Sequence, residues 1–358
     1  MKIGILSFHC AHNYGAVLQA YALQEFLKSN GHDVEFIDYK PEYLLSPYQV
    51  HNPQASLLKQ LARLPLQPMR RLRYKRFNEF ITGKLALSGP VHAAGEIGRD
   101  YDAYVLGSDQ IWNQRITNGD LVFFGAFDRP AKSQLISYAA STEVPHEGAT
   151  VDFSAERRHL NEFSSISVRE DALRDQIQPL VNVPVSTVLD PTLLVGPEVF
   201  DKIAESKTSS GHLLIYQVKS DSDTIPIAKE IQRNKGIKKA VKLTPHISRH
   251  EILNPYSMSS PEEFVGLFRS SSYIVTTSFH GVIFSIIFRK QFVCVMDKSR
   301  GNYRISNLLT KLGIQNRMVY SLNDIPSDSI DYDAVSCNLD KLRDMSRGFL
   351  LSALSLRV

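Results

Sequence analysis

Apolar residues along the chain fall into two alternating patterns. The run "KIGILSF" has the length of a buried strand, and "VEFIDY" is a second such run. Between them, apolar side chains recur at helical spacing: Val17, Leu18, Tyr21, Ala22, Leu23, Phe26 and Leu27. Gly31 in "SNGHD" is typical of a helix C-terminus. A strand, a helix and a strand joined this closely predict the βαβ unit of a parallel sheet.

The same alternation continues along the chain. Further strands are predicted at "DAYVLGSD", "KSQLISYAAS", "SISVRE" and "PVSTVLDPTLL", and a second series begins at "GHLLIYQVKS". This series continues with a helix around 224–235, the strand "KKAVKLT", and a helix, strand, helix and strand over 260–296. The sequence Ser260-Pro261-Glu262-Glu263 is typical of a helix N-terminus, because it combines a capping residue, a proline and acidic residues.

These elements predict an α/β fold with two Rossmann-like domains facing a cleft. A chain of 358 residues is long for a single core, which also favours two domains. We place the N-terminal domain at 1–195 and the C-terminal domain at 196–358, with the C-terminal helix able to pack back on the first domain.

Composition limits the class of protein. Hydrophobic residues make up 43% and charged residues 22%, as in globular proteins, and a net charge of +4 does not indicate a nucleic-acid partner. Cys10, Cys294 and Cys337 form no CxxC pair, which favours a reducing compartment. The N-terminus does not resemble a signal peptide, and no run of about 18 apolar residues occurs. We therefore expect a cytoplasmic protein, with a place at the inner face of the plasma membrane left open.

The ends of the predicted strands carry the candidate chemistry, because ligands of open parallel sheets bind there. After the first strand come His9, His12, Asn13 and Tyr14, which suit an anionic or hydroxyl-bearing ligand at a helix N-terminus. A helix cap explains Asn13 or His12 equally well.

Two later strand ends carry charged residues. Asp109 follows "YVLGS" and can position a sugar hydroxyl or act as a base, while Trp112 can stack on a sugar. In the alternative, Asp109 caps a helix and Trp112 is a core residue. Arg169 in "SVRE" can bind a carboxylate or phosphate through two parallel hydrogen bonds, or pair with a neighbouring acid such as Glu170. Asp190 in "LDPT" indicates a structural turn.

His280 follows the strand "YIVTT" and begins the apolar helix "GVIFSIIF". An imidazole at a helix N-terminus becomes a charged donor or general acid when an anion binds there, although a lone histidine is more often a core residue. Lys298, Arg300 and Arg304 follow and supply positive charge for a multiply charged ligand.

Motifs for metal and nucleotide sites are not found in the sequence. "HISRH" lacks the glutamate of HExxH, and GxGxxG, P-loop and GxSxG patterns do not occur. "DYD" and "DSD" are short and common, so they give weak support to a metal-dependent nucleotide-sugar site. We expect no metal and no cofactor.

Residues 57–80 form a basic segment in which the single acid is Glu79. Its basic residues are Lys59, Arg63, Arg70, Arg71, Arg73, Lys75 and Arg76. Such a segment can lie on an anionic membrane surface, or it can be a solvated helix face.

Six stretches in this order and spacing resemble the polysaccharide pyruvyl transferase family. They are "FHCAHNYGAVLQAYALQEFL", "YDAYVLGSDQIWN", "ISYAAS", "SVRE", "VLDPTLL" and "TTSFHGVIFSIIFRKQFV", and the resemblance runs from residue 1 to about 320. It implies a glycosyltransferase-B-like fold and transfer of the enolpyruvyl unit of phosphoenolpyruvate onto a sugar, with formation of a pyruvate ketal. The acceptor implied is a hexose of a surface polysaccharide precursor, linked to a polyprenyl diphosphate.

The resemblance carries the family's histidine over to His280 and its arginine to Arg169, and the other residues at the strand ends fit the same chemistry. His280 is the candidate for the general acid or the phosphate donor, and Asp109 for the base or for positioning the acceptor. Phosphoenolpyruvate would be bound by Arg169, Ser278, His280, Lys298, Arg300 and Arg304, and the acceptor by His9, His12, Asn13, Tyr14 and Trp112. Many family members have an arginine where this chain has Ser278, which leaves open whether Arg300 or Arg304 replaces it. A nucleotide-sugar glycosyltransferase and a non-catalytic carbohydrate-binding protein remain the alternatives.

Overall fold

The computed structural model describes residues 1–50, 64–143, 150–218, 221–245, 247–248, 251, 253–297 and 303–356. The chain divides into two compact units. Unit 1 comprises Met1–Pro47, Ile81–Val195 and Leu339–Val358, and unit 2 comprises Tyr48–Phe80 and Gly196–Asn338.

Unit 1 contains a seven-stranded parallel sheet in the order β3-β2-β1-β4-β5-β6-β7. Its strands are β1 (Lys2–Leu6), β2 (Asp33–Tyr39), β3 (Leu87–Val91), β4 (Ala103–Asp109), β5 (Gln134–Ala140), β6 (Ser165–Val168) and β7 (Val185–Thr187). Its helices include α1 (Tyr14–Ser29), α2 (Glu42–Leu45), α4 (Gln114–Thr117), α5 (Arg157–Leu160) and α6 (Asp171–Ile177). This is a Rossmann strand order, and its direction reverses between β1 and β4.

Unit 2 contains a five-stranded parallel sheet in the order β12-β11-β10-β8-β9. Its strands are β8 (His212–Tyr216), β9 (Ala240–Leu243), β10 (Ser271–Thr276), β11 (Gln291–Val295) and β12 (Met318–Val319). Its helices include α7 (Pro197–Asp201), α8 (Thr224–Asn234), α9 (Pro261–Ser270), α10 (Phe279–Ile287) and α11 (Tyr303–Lys311). The strand order reverses between β8 and β10, as in the flavodoxin-like arrangement.

Two long helices contribute residues to both units. Helix α3 (Gln67–Lys84) contains the boundary between Phe80 and Ile81, and helix α12 (Tyr332–Ser355) contains the boundary between Asn338 and Leu339. Among the described residues, no helix is both long enough and apolar enough to cross a membrane.

The predicted α/β class and the two Rossmann-like domains are confirmed by these two parallel sheets. The first βαβ unit forms as the pattern indicates: Asn13 caps α1 by accepting a hydrogen bond from the Gly15 N–H, and Gly31 follows the helix with a φ of 80°. Strands β3 and β12 were not predicted. Gly89 and Pro90 weaken the strand signal of β3, and β12 has only two residues.

Residues 48–80, which the sequence analysis assigned to the first domain, belong to unit 2. The contacts come from the basic side chains of α3. Arg76 Nη1 donates to the carbonyl of Met258 at 2.7 Å and to Glu263 Oε2 at 3.0 Å, and Arg73 donates to the carbonyl of Pro245. A helix that looks uniformly basic in sequence therefore uses part of its charge for packing.

Glu263 lies at the centre of these contacts. It forms a capping box with Ser260 at the start of α9, and the same Oε2 atom lies 2.7 Å from Lys207 Nζ. One carboxylate therefore satisfies a helix N-terminus and pairs with two cations from distant parts of the chain.

We predict that Glu263→Ala lowers the free energy of unfolding by about 2 kcal/mol, because the cap and the partner of two cations are lost together. Urea unfolding measures this change. Glu262→Ala is the matched control, since Glu262 lies in the same helical turn but is not the capping-box residue. Equal effects of the two variants would contradict the assignment.

Candidate functional site

The reversal of strand order in unit 2 lies between β8 and β10, and two threonines join these strands where they end. Thr276 Oγ1 donates to the carbonyl of Tyr216 at 2.9 Å, and the Thr277 N–H donates to the same carbonyl at 3.2 Å. Thr277 Oγ1 accepts from the Val218 N–H at 3.0 Å. The carboxyl ends of the two strands are thereby held together at the place where open α/β sheets bind ligands.

The segment Ser278–His280 emerges from this junction. The Ser278 N–H donates to Thr276 Oγ1 at 3.1 Å, and α10 begins at the next residue with Ser278 as its N-cap. His280 lies half-buried in the first turn of α10, edge-on to the ring of Phe279 with 5.4 Å between ring centroids. The imidazole is therefore carried by a helix N-terminus, where backbone N–H groups favour anions.

Among the described residues, Arg304 is a cation that lies beside the first turn of α10. Its guanidinium carbon lies 5.7 Å from the centroid of the Phe279 ring, a cation–π distance. Lys298 and Arg300, which were expected to bind the same ligand, lie outside the described residues. Ser278, Phe279, His280 and Arg304 therefore form one cluster, and Arg304 is the described candidate for the arginine expected at position 278.

Gly281 permits the close approach between α10 and the strand ends. A Cβ atom there would lie 2.1 Å from Thr276 Oγ1 and 3.0 Å from Tyr216 Cδ1. Both neighbours are fixed by the sheet, so a side chain at this position would displace the first turn of the helix. The glycine thus sets the position of His280.

The reversal of strand order in unit 1 lies between β1 and β4. Ser7 Oγ donates to the carbonyl of Ser108 at 3.3 Å and accepts from Gln19 Nε2 at 2.8 Å. Asp109 ends β4 with a φ of 76°, and its side chain is 15% exposed. The carboxylate is thus partly accessible at the carboxyl end of β4.

Arg169 has a different environment from the one expected of a ligand-binding residue. Its side chain is 2% exposed, and Nη1 donates to Asp190 Oδ2 at 2.7 Å. Nε lies 3.6 Å from Glu170 Oε1, and Nη2 lies 3.9 Å from Asp109 Oδ1. Burial lowers the pKa of the guanidinium, but Glu170, Asp190 and Asp109 more than offset this and leave the pKa raised.

This network shows what surrounds Arg169. Its guanidinium compensates carboxylates at the ends of β4, β6 and β7, and its expected role in binding phosphoenolpyruvate stays a prediction. Asp190 accepts from the Thr192 N–H at 3.1 Å, in agreement with the structural turn expected there. The ion pair with an adjacent acid, which the sequence left open, is the interpretation that the geometry supports.

The residues after β1 also differ from the expectation of an acceptor site. His9, His12 and Tyr14 are buried, and Asn13 is exposed but uses its side chain to cap α1. His9 Nδ1 lies 3.1 Å from the Ser7 carbonyl and Nε2 lies 3.0 Å from Asp38 Oδ1. Each ring nitrogen of His9 therefore lies beside an oxygen atom of unit 1 and is used internally.

Asp38 and Lys40 were missed by the sequence analysis, although both lie at the end of a predicted strand. Lys40 Nζ donates to Asp38 Oδ2 at 2.6 Å. Burial raises the pKa of Asp38, but the hydrogen bonds from His9 and Lys40 outweigh it and lower the pKa. Lys40 is half-buried and lies nearer to solvent than Asp38.

Trp112 is a core residue, which corrects its assignment to the acceptor. The indole is fully buried and stacks on Phe124 with 5.5 Å between ring centroids, and Nε1 donates to the carbonyl of Phe123 at 3.0 Å. Both its apolar surface and its polar atom are used internally, so its face is not available to a sugar.

No group of three histidine, cysteine, aspartate or glutamate residues is placed to hold a metal ion within the part of the chain that the structure describes.

A model of the polysaccharide pyruvyl transferase family matches residues 13–299, more than half of the chain. A separate comparison with curated proteins found no match. Solved structures that resemble the chain include MnaA of S. aureus with UDP, with 10% identity and a TM-score of 0.46 over 97% of this chain and 90% of that one. The heptosyltransferase WaaC of E. coli with ADP has 12% identity and a TM-score of 0.39 over 96% and 100% of the two chains.

We predict that Gly281→Ala lowers the free energy of unfolding by about 2 kcal/mol, because the new methyl group overlaps Thr276 Oγ1. Gly348→Ala in α12 is the control, since its Cβ would meet no atom within 4 Å. That variant should be neutral or stabilised by up to about 1 kcal/mol. Urea unfolding that finds the two substitutions equally harmless would contradict the close packing at residue 281.

We predict that Arg169→Ala costs about 3–5 kcal/mol of stability, because three carboxylates lose their buried partner. Arg174→Ala, which removes a more exposed guanidinium from pairs with Asp171 and Asp175, should cost less than about 1 kcal/mol. Thermal unfolding with and without phosphoenolpyruvate separates the possible roles. An unchanged melting temperature together with lost phosphoenolpyruvate binding would restore Arg169 as a ligand-binding residue.

Proposed function

The chain belongs to the polysaccharide pyruvyl transferase family, and we propose that it transfers the enolpyruvyl unit of phosphoenolpyruvate onto a hexose to form a pyruvate ketal. The acceptor proposed is a lipid-linked precursor of a surface polysaccharide. One observation carries the donor half of the proposal. His280 lies in the first turn of α10, directly after the reversal of strand order in unit 2 and in one cluster with Arg304.

The chemistry requires one proton to be delivered to carbon and one anion to leave. Protonation of the methylene carbon makes C2 of phosphoenolpyruvate electrophilic, and a sugar hydroxyl adds to C2 as it loses its proton. The C2–O bond to phosphate then breaks, and a second hydroxyl of the same sugar closes the ring. The two sugar hydroxyls lose two protons in total. One replaces the proton that was added to the methylene carbon, and the other leaves with phosphate.

His280 is the proposed general acid. An imidazolium at this position can give its proton to the methylene carbon or to the departing phosphate oxygen. The backbone N–H groups of the first turn of α10 and the guanidinium of Arg304 suit the two anionic groups of phosphoenolpyruvate. The ring of Phe279 lies against both residues and restricts their positions.

Asp109 is the proposed base or the residue that positions the acceptor hydroxyl. Two features support this role: its partly accessible carboxylate at the end of β4, and the hydrogen bond that Oδ1 accepts from the Gln110 N–H at 2.8 Å, with Arg169 Nη2 3.9 Å away. Arg169 is thus a positioning residue in the proposal and Asp109 is the group that meets the acceptor.

We predict that His280→Ala lowers phosphate release from phosphoenolpyruvate by at least about 100-fold in the presence of a mixture of hexose glycosides, with the melting temperature unchanged. His92→Ala, which removes an exposed histidine, is the matched control. Mass spectrometry detects the ketal on the acceptor. Wild-type turnover in the His280 variant would exclude it as the general acid.

Thermal unfolding in the presence of each candidate donor tests which donor the protein binds. Phosphoenolpyruvate should raise the melting temperature of the protein, and UDP should not, because a ligand stabilises the folded state that binds it. Stabilisation by UDP instead would favour a nucleotide-sugar transferase. No stabilisation by either ligand, with no ketal formed, would favour a non-catalytic carbohydrate-binding protein.

A further inference from the structure

Helix α3 divides its basic residues between two opposite faces. Arg73 is buried, lies over the ring of Phe77 and donates to the carbonyl of Pro245. Arg76 donates to the carbonyl of Met258 and to Glu263. These two guanidinium groups are used within unit 2, so their charge does not contribute to an outer surface.

The exposed positions of α3 combine cations with apolar side chains. Arg71 and Lys75 are exposed one helical turn apart, and the Lys75 side chain is 70% exposed. Leu72, between them in sequence, is 39% exposed, and Leu64 in the preceding 3₁₀ turn is 52% exposed. Pro68 completes a row of exposed residues at four-residue spacing from 64 to 72.

Exposed large apolar residues occur on this side of the helix. Leu64 and Leu72 are two of the large hydrophobic residues that are exposed among those the structure describes, and the exposed Pro68 lies between them in sequence. Clustered exposed apolar residues mark interaction sites, whereas scattered ones need no explanation. The segment 64–75 contains no acidic residue, and Glu79, the first acid after it, forms an exposed pair with Lys75 at 3.7 Å, which contributes little and leaves the Lys75 ammonium at the surface. The partner that fits is therefore apolar and anionic together.

We propose that this surface, defined by Leu64, Pro68, Arg71, Leu72 and Lys75 and called the α3 outer face, docks on an anionic lipid surface. The leucines would enter the boundary between headgroups and acyl chains, while the two cations would remain at the level of the lipid phosphates. Charge complementarity selects lipid over an uncharged apolar partner. The proposal does not depend on the pyruvyl transfer reaction, because the docking residues are separate from His280 and Asp109.

The structure changes which residues belong to this surface. The basic segment 57–80 counts seven cations in sequence, but Arg73 and Arg76 belong to the packing of unit 2. Lys59 and Arg63 lie outside the described residues. Neutralising Arg73 would therefore test stability and not docking, whereas Arg71 and Lys75 report on the surface itself.

Flotation with vesicles of equal parts phosphatidylglycerol and phosphatidylcholine tests the proposal. The wild-type chain should float with these vesicles and not with pure phosphatidylcholine, and binding should weaken as salt is raised. The double variant Arg71→Gln with Lys75→Gln should bind about 25-fold more weakly, since each basic residue near an anionic surface contributes about 5-fold. The double variant Leu64→Ser with Leu72→Ser should bind at least about 10-fold more weakly.

The control variant is Arg233→Gln with Leu322→Ser, which removes an exposed arginine and an exposed leucine elsewhere in unit 2 and should bind like the wild type. Equal losses in the control and the α3 variants would overturn the proposal, as would wild-type binding to pure phosphatidylcholine. Failure of the wild type to float, with light scattering showing a dimer that the two leucine substitutions dissociate, would assign this face to a second copy of the chain. Phosphate release measured on the same variants shows whether the transfer reaction has been affected.

Discussion

The hydroxyl group of Thr276 organises the candidate site in unit 2. It donates to the carbonyl of Tyr216 on β8, accepts from the N–H of Ser278, and occupies the space where a Cβ at position 281 would lie. The end of one strand, the start of a helix and the end of a neighbouring strand thus meet at a single oxygen. The direction in which α10 presents His280 depends on this contact, because the next helical residue has no side chain to push the turn away.

Unit 1 uses its strand ends differently. Many of the polar side chains after its strands pair with one another, as Arg169 does with Asp190 and His9 does with Asp38. Such pairs compensate charges that would be costly to bury alone. Asp109 is partly accessible because it lies at the margin of the Arg169 network. The candidate base Asp109 therefore lies beside the buried guanidinium of Arg169.

The basic helix α3 shows how similar side chains acquire different roles. Arg73 and Arg76 find a carbonyl or carboxylate of unit 2, while Arg71 and Lys75 project outward beside Leu72. The difference follows from the 100° rotation between successive helical residues, which directs Arg73 and Arg76 to acceptors elsewhere in unit 2 and leaves Arg71 and Lys75 with exposed partners on α3 itself. A count of charges along the segment therefore overestimates the charge that a partner meets.

The sequence by itself determined the order of the strands and helices apart from β3 and β12, because the spacing of apolar residues reflects which face of each element is buried. It also determined that His280 and Asp109 lie at strand ends, and that Asn13 and Ser260 begin helices. Only the tertiary structure decided which polar residues are consumed internally. Trp112 donates to a carbonyl 11 positions away, Arg169 pairs with the adjacent Glu170 but also with Asp190 and Asp109 on other strand ends, and Arg73 reaches Pro245 from across 172 positions. Hydrogen bonds and ion pairs at such separations leave no local periodicity in the sequence, so the exposure of a charged or aromatic side chain follows from packing alone.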